Sequence, residues 1–178
     1  MAIYTKRGDK GETSLLNKLS SQKERISKAS LRISAIGAVD EVNSFLGIIA
    51  SNADPELRKI LREIQKELFL IGSILAGAKL RFYSTKIKRL EKQIDEMDKI
   101  LPPLKNFVFP GGTEIGAQLH FSRSLTRRTE RAVARLSKKE RVKPQIIRFL
   151  NRLSDFLFML ARKVNSDAKI KEEIWKSG

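Results

Sequence analysis

Residues 107–131 read FVFPGGTEIGAQLHFSRSLTRRTER, and this stretch combines a chain break with the start of a long helix. The Pro-Gly-Gly sequence at residues 110–112 does not continue regular structure, whereas Thr113 suits a helix N-cap and Glu114 suits the first turn. After this start, apolar and small side chains recur at steps of three and four residues, which predicts one buried stripe of a helix. The stripe consists of Ile115, Leu119, Ser122, Thr126, Thr129, Val133 and Leu136.

A second face of the same predicted helix is basic. Arg123, Arg127 and Arg131 follow one another at four-residue intervals and therefore lie on one side. Guanidinium groups stacked in this way repel one another unless an anion or a carboxylate lies between them. This segment alone leaves two interpretations open: a basic face in contact with water, or a phosphate-binding cluster shielded from it.

Periodicity predicts four further helices. They cover about residues 30–51, a segment that begins at Pro55, about residues 84–100 and about residues 145–167. Together with the central helix they predict an all-α, five-helix bundle over about residues 30–167, joined by short connections. The 178 residues form a single domain in this prediction, with a glycine-rich loop within residues 1–20 and a tail at residues 168–178 that is mobile or forms a short helix.

Composition narrows the chemistry that the chain can perform. Because there is no cysteine and His120 is the single histidine, a disulfide, a cysteine nucleophile and a zinc site of the usual kind are excluded. The sequence has no Glu-x-x-His pair, so a di-iron bundle of the ferritin type is not expected. His120 is interpreted either as a packed or capping residue or as a residue near a ligand.

The net charge of +16 favours a polyanionic partner, which is nucleic acid, an acidic membrane surface or a polyphosphate ligand. The sequence lacks a run of about eighteen apolar residues, which argues against a membrane span. Residues 1–12 lack the apolar core of a secretory signal. We therefore expect a cytoplasmic protein without a membrane partner.

Residues 5–14, TKRGDKGETS, place two glycines three residues apart among polar side chains. A loop of this kind adopts positive φ values, and its successive N–H groups form an anion nest. The bare pattern is weak, and taken alone it favours an ordinary polar turn. The segment is not a Walker A loop, because it lacks a Lys-Ser/Thr pair at the required spacing from glycine.

Residues 37–43, GAVDEVN, place Asp40 and Asn43 on one face of the first predicted helix. Gly37 lowers helix stability relative to alanine, which indicates a packing or ligand role for the close approach that it permits. The alternative interpretation is a solvated acidic turn.

The fifth helix and the loop before the fourth also carry conspicuous side chains. Asn151 and Asp155 share a helix face, where they are placed to complement the arginines of the fourth helix. Phe107 and Phe109 lie in a predicted loop, where they either pack beneath it or line an apolar ligand pocket.

Taken in order, four segments of the chain resemble the PduO-type ATP:cob(I)alamin adenosyltransferases. The matching segments are Thr5–Ser14, Gly37–Asn43, Phe107–Arg131 and Phe149–Asp155. Each segment is modest by itself, whereas the ordered set is highly specific to that family. The resemblance implies that the protein transfers the 5′-deoxyadenosyl group of ATP to cob(I)alamin, forming adenosylcobalamin and releasing triphosphate.

The resemblance also implies a homotrimer of five-helix bundles in which ATP and cobalamin meet near a subunit interface. The implied ATP-binding residues are Thr5, Lys6, Gly8, Asp9, Gly11, Thr13, Ser14, Lys28, Arg123, Arg127, Glu130 and Asn151. Glu130 would help to place ATP or its Mg²⁺, and Asp155 would lie near the cobalamin. Asp40 would pair with Arg123 across the interface, and Phe107 would lie beneath the corrin ring and help to displace the lower axial ligand.

The first loop departs from the family pattern. Family members often carry Thr-Arg-Thr-Gly-Asp there, whereas Lys6 and Arg7 precede Gly8 and Asp9 in this chain. Arg7 and the following Lys10 add positive charge, which strengthens the attraction for phosphate.

The implied protein partners are a flavin-type reductase and an adenosylcobalamin-dependent enzyme. Two rival functions stay open at this point. The first is a regulatory bundle that binds nucleotide without catalysis, and the second is a basic, nucleic-acid-binding helical protein. Against the second, the central arginines coincide with a family motif, and few aromatic residues lie in basic clusters elsewhere.

Overall fold

The computed structural model describes residue 4, residues 6–15 and residues 25–175. The elements in chain order are β1 (Glu12–Ser14), β2 (Arg25–Ser27), α1 (Leu31–Asn52), α2 (Pro55–Leu75), α3 (Thr85–Ile100), α4 (Glu114–Ser137) and α5 (Pro144–Asp167). The predicted all-α, five-helix architecture is confirmed. The two short strands pair antiparallel, with Thr13 opposite Ile26, and the sequence did not predict them.

Local sequence explains where three of the helices begin. Ser30, Asp54 and Thr113 are the N-caps of α1, α2 and α4. Each side chain accepts a hydrogen bond from the backbone N–H three residues later, at 3.3, 2.9 and 3.0 Å respectively. Such a cap satisfies one of the N–H groups that a helix start leaves unpaired, which contributes about 1 kcal/mol. The predicted N-cap at Thr113 is therefore confirmed.

The core forms where α4 meets its neighbours. α4 packs against both α1 and α5, while α2 packs against α1 and α3 packs against α5. The predicted stripe of α4 faces this core, because its members from Leu119 to Leu136 are buried and Ile115 is partly buried. Phe149 and Phe156 are among the largest fully buried side chains, and burying each contributes about 1.5–3 kcal/mol.

Among the described helices, α1 is long and apolar enough to cross a membrane by length and composition. Its side chains Ala35, Val42 and Leu46 are completely buried, and the helix packs against α2 and α4. Because the core helix of a bundle meets the same criterion, these contacts identify α1 as a core element.

The segment after α5 differs from the prediction. Residues 171–175, which we call the tail segment, are not helical but lie alongside the loop before α4. Val108 and Ile174 form an antiparallel bridge. Phe109 N donates to the carbonyl of Glu173, and Trp175 N donates to the carbonyl of Phe107, each at 2.9 Å. The helical alternative for the tail is wrong, because its backbone groups pair with a distant part of the chain.

Candidate active site

The glycine-rich loop is held by the residue that follows β2. Lys28 donates from Nζ to the carbonyl of Gly8 at 2.9 Å, and its backbone N–H donates to the carbonyl of Gly11 at 2.8 Å. Gly11 has a φ of +77°, a conformation that glycine adopts without the strain of a side chain. The structure therefore brings Lys28 onto the loop with which the resemblance grouped it.

The rest of the loop presents polar groups to solvent. Its other predicted residues with a described placement are exposed or half-buried: Lys6, Asp9, Thr13 and Ser14. Thr5 lies outside the described residues. Arg25 fixes the loop to β2, because it donates to the carbonyl of Arg7 at 2.6 Å and pairs with Glu12 at 3.1 Å. In the part of the chain that the structure describes, no hydrogen bond joins this loop to α4.

The two predicted arginines of α4 differ in their surroundings. Arg127 is exposed, whereas Arg123 is half-buried and its guanidinium carbon lies 6.0 Å from the centre of the Phe158 ring. The Nε of Arg123 is buried and finds no acceptor among the described residues. Burial, and secondly the charge of Arg127, lower the pKa of Arg123. A partly desolvated guanidinium without an acceptor is a site for an anion, so Arg123 fits the phosphate-binding interpretation, whereas the exposed Arg127 and Arg131 fit a basic face in contact with water.

Glu130 and Asn151 meet across two helices. Asn151 on α5 donates from Nδ2 to Glu130 Oε1 on α4 at 3.1 Å. Asp155, one turn further along α5, forms an ion pair with Arg152 of its own helix at 2.8 Å. The polar face of α5 thus contacts α4 through Glu130 and, among the described residues, not through the arginines that the sequence led us to expect. Within the described residues there is no cluster of three or more acidic or histidine side chains that could hold a metal ion.

Asp40 lies at a cavity of about 410 Å³ between α1 and α2. Gly37 and Gly72 form part of its wall, and Phe69 contributes an apolar side chain that is 65% exposed. Asp40 itself is exposed and Asn43 is buried, and both line this cavity, as expected for residues on one face of α1. Among the described residues, Asp40 forms no ion pair with Arg123 inside one chain.

Phe107 projects from the loop that joins α3 to α4. Its side chain is 79% exposed, and the ring contacts Trp175 of the tail segment edge-on, with 6.3 Å between ring centroids. Both rings line a cavity of about 390 Å³ together with Leu104, Lys105 and Asn106. For Phe107 the geometry favours the pocket interpretation, because an exposed ring is not packing beneath the loop; Phe109 does not line this cavity.

His120 is a packed residue. It is buried, and its ring contacts Phe158 edge-on at 5.8 Å between centroids. Burial lowers the pKa of His120, the charge of Arg123 lowers it further, and Glu172 opposes the shift. His120 is therefore neutral at pH 7 and shares the Phe158 ring with the predicted nucleotide-binding Arg123.

Sequence reasoning missed two polar residues of α5 that hold the loop of Phe107. Arg162 is 2% exposed and binds Glu172 of the tail segment and the carbonyl of Pro102. Asn165 accepts hydrogen bonds from Thr113 N and Oγ1 at 2.9 and 3.0 Å and donates to the carbonyl of Gly111 at 2.8 Å. The available signal was an arginine and an asparagine three residues apart on an apolar helix.

A sequence model described as cobalamin adenosyltransferase matches residues 3–164, which include α1 to α4 and most of α5. The chain belongs to this family. The resemblance that the four motifs predicted is thereby confirmed.

Similar proteins agree with that assignment. A corrinoid adenosyltransferase of Bacillus subtilis is 38% identical over 179 residues, which cover 96% of this chain and 90% of the relative. The corrinoid adenosyltransferase PduO of Salmonella typhimurium is 40% identical over 176 residues, and this chain spans about half of it, 51% of its length.

Solved structures extend the likeness to the fold. A PduO-type ATP:corrinoid adenosyltransferase from Lactobacillus reuteri, a phenylalanine-to-alanine variant complexed with cobalamin and ATP, superposes with a TM-score of 0.93 at 33% identity. The match covers 99% of this chain and 100% of that one. An arginine-to-lysine variant of the Lactobacillus reuteri protein, complexed with ATP, superposes with a TM-score of 0.90 at 34% identity and covers 98% of this chain and 100% of that one.

Proposed function

We propose that the protein is a corrinoid adenosyltransferase that transfers the 5′-deoxyadenosyl group of ATP to cob(I)alamin. The products are adenosylcobalamin and triphosphate. The structural observation that carries the proposal is the half-buried Arg123 guanidinium, whose buried Nε finds no acceptor among the described residues. In a chain of the cobalamin adenosyltransferase family, the triphosphate of ATP is the anion that supplies this acceptor.

The protein aligns the reactants and stabilises the charge of the leaving group. Co(I) is a strong nucleophile, so no side chain has to be activated; it forms a bond to C5′ of ATP as the bond between C5′ and the triphosphate oxygen breaks. Negative charge then accumulates on triphosphate. Preorganised cations and N–H groups lower the barrier of such a step because they need no reorganisation during the reaction. Arg123 and Arg127 supply the cations.

The glycine-rich loop forms the second part of the ATP site. Its proposed contacts are Thr5, Lys6, Gly8, Asp9, Gly11, Thr13, Ser14 and Lys28. The Lys28 ammonium group is held at the carbonyl of Gly8, which supports its role as a phosphate ligand. Asn151 contacts ATP from α5 in this proposal.

Glu130 is the proposed protein ligand of Mg²⁺. Mg²⁺ is typically bound by one or two carboxylates together with substrate phosphates and water, so a single carboxylate beside the triphosphate fits it. The hydrogen bond from Asn151 leaves the second oxygen of Glu130 available for this contact and orients the carboxylate. Bound Mg²⁺ would neutralise charge on the phosphates.

Phe107 is the proposed contact beneath the corrin ring, with Asp155 close to the cobalamin. An apolar lower face excludes water and the axial base. This eases reduction of Co(II), because Co(I) prefers low coordination. The exposure of the Phe107 ring at an open cavity supports the assignment.

Assembly and partners complete the proposal. The active form is a homotrimer in which Asp40 pairs with Arg123 of a second copy. The open cavity beside Asp40 supports an interface, because its lining is mostly apolar and includes the exposed Phe69, and contiguous apolar surface marks interaction sites. A flavin-type reductase supplies electrons, an adenosylcobalamin-dependent enzyme receives the product, and the protein is cytoplasmic.

Anaerobic incubation of the protein with ATP, Mg²⁺ and chemically reduced cobalamin tests the reaction class. Absorbance follows formation of the cobalt–carbon product. We expect adenosylcobalamin to accumulate, and heat-denatured protein is the control. ATP binding without product would refute the proposal in favour of a regulatory bundle. Absence of ATP binding combined with salt-dependent binding to duplex DNA would favour the nucleic-acid function.

A further inference from the structure

We propose that Arg162 and Glu172 are positioning residues for the corrinoid substrate: their ion pair, which is buried at Arg162, docks the tail segment onto the loop of Phe107 and so fixes the Phe107 ring. The proposal rests on the proposed function, since it takes Phe107 to be the corrin contact. Neither Arg162 nor Glu172 lies in the four motifs that carry the family resemblance.

Two hydrogen bonds hold the Glu172 carboxylate against the Arg162 guanidinium in one orientation. Arg162 Nε donates to Glu172 Oε1 at 2.6 Å, and Nη2 donates to Glu172 Oε2 at 3.2 Å. Nη2 also donates to the carbonyl of Pro102 at 2.8 Å. A two-pronged contact between guanidinium and carboxylate fixes orientation as well as distance. The Arg162 side chain is 1% exposed, so loss of the Glu172 carboxylate would leave a buried guanidinium charge without its partner, which is costly.

Arg162 and Asn165 together anchor both ends of the loop that carries Phe107. Arg162 binds the carbonyl of Pro102 where the loop leaves α3, and Asn165 binds Gly111 and Thr113 where the loop enters α4. The middle of the loop has a different support, which is the tail segment paired with residues 107–109. The contact between Arg162 and Glu172 therefore links α5 to the tail segment, which supports the middle of the loop.

The Phe107 ring needs such a support because the core does not hold it. With 79% of its surface exposed, the ring has no buried environment that would select one rotamer. Ordering it during substrate binding would cost conformational entropy. Trp175 contacts the ring, and its backbone N–H donates to the Phe107 carbonyl. The docked tail segment therefore orders the Phe107 ring before the substrate binds.

The substitution Glu172→Gln tests the proposal, with Glu173→Gln as the matched control. Glu173 is exposed and gives the pairing its backbone carbonyl, which the control leaves intact. Trp175 is the single tryptophan of the chain, so acrylamide quenching of its fluorescence reports on the tail segment alone. In Glu172→Gln we expect quenching to approach that of N-acetyltryptophanamide. In the control we expect the wild-type value.

Steady-state kinetics separates positioning from a general structural effect. Loss of a charge-assisted hydrogen bond that docks the tail raises the KM for cob(I)alamin roughly tenfold in Glu172→Gln. The KM for ATP stays within about twofold, because within the described residues no hydrogen bond joins Glu172 or the tail segment to a proposed ATP-binding residue. Glu172→Asp, which keeps the charge, restores part of the affinity.

The outcomes separate this inference from the proposed function. Unchanged quenching in Glu172→Gln would show that Glu172 does not dock the tail segment. This quenching can be measured without any catalysis. A released Trp175 with an unchanged corrinoid KM would overturn the positioning role. Failure of wild-type protein to make adenosylcobalamin would refute the proposed function. The quenching result would still show whether Glu172 docks the tail segment. Far-ultraviolet circular dichroism checks folding, and Arg162→Lys replaces Glu172→Gln if that variant does not fold.

Discussion

Replacing Arg123 with alanine should abolish most of the activity while leaving stability almost unchanged. Two structural terms oppose each other in the folded state. Arg123 has a buried Nε without an acceptor among the described residues, and a donor left unpaired in this way costs about 1–3 kcal/mol. Its contact with the Phe158 ring stabilises by about 0.5–1 kcal/mol, and the aliphatic stem adds packing. We therefore expect the free energy of unfolding to change by less than about 1 kcal/mol.

The effect on catalysis should be much larger. Removing one preorganised donor to a developing anion commonly lowers kcat by about 10²- to 10³-fold. Urea denaturation measures stability, and the anaerobic transfer assay measures kcat. Arg135→Ala, in the exposed last turn of α4, is the matched control and should keep wild-type activity. Near-normal transfer by Arg123→Ala would contradict the proposed contact with triphosphate, as would a loss of stability large enough to explain the missing activity.

Three further predictions follow from the same geometry. Phe107→Ala should impair transfer when Co(II) must first be reduced, and less when Co(I) is supplied; equal effects in both assays would contradict the lower-face role. Since burial lowers the pKa of His120 from its ordinary value of 6.5, the unfolded chain binds the proton first as pH falls. The free energy of unfolding should drop as pH falls from 6.5 to the lowered pKa of folded His120, and His120→Gln should reduce this drop in urea titrations. The same pH dependence in His120→Gln and wild type would contradict this prediction. Gly116→Ala should destabilise by about 1–3 kcal/mol, because a Cβ there collides with the Asn165 amide, whereas Gly111→Ala meets open space and should be neutral by thermal unfolding.

Local sequence predicted the helices because their determinants are local. The N-cap at Thr113 and the start at Pro55 depend on residues within one turn of the helix end. The apolar stripe of α4 follows from a repeat of 3.6 residues, and the structure buries it. The family resemblance, carried by four short segments, was equally accessible and is confirmed by the match over residues 3–164.

Pairings between distant residues could not be predicted in the same way. β1 and β2 are three residues each, too short for an alternating pattern to show, and their pairing depends on register. The tail segment pairs with Phe107 and Phe109 more than 60 positions earlier in the chain, because α5 brings it back along the bundle. The buried polar residues Arg162 and Asn165 acquire their roles from these contacts and not from their neighbours in sequence.

The roles of the predicted site residues remain predictions. The structure groups Lys28 with the glycine-rich loop and Asn151 with Glu130. It does not join Asp40 to Arg123 within the described part of one chain, so their pairing between two copies stays a proposal. Size-exclusion chromatography with light scattering, applied to wild type and Asp40→Ala, would test whether Asp40 helps to hold copies of the chain together.

Identification of the phosphorus product shows which bond of ATP the protein breaks. ATP labelled with ¹³C at C5′ is incubated anaerobically with protein and chemically reduced cobalamin, and ³¹P and ¹³C NMR spectra are recorded. We expect one triphosphate for each adenosylcobalamin, with the labelled carbon bonded to cobalt. Release of ADP and phosphate, or of diphosphate without a labelled corrinoid, would contradict it, because the C5′–oxygen bond would then not be the bond that breaks.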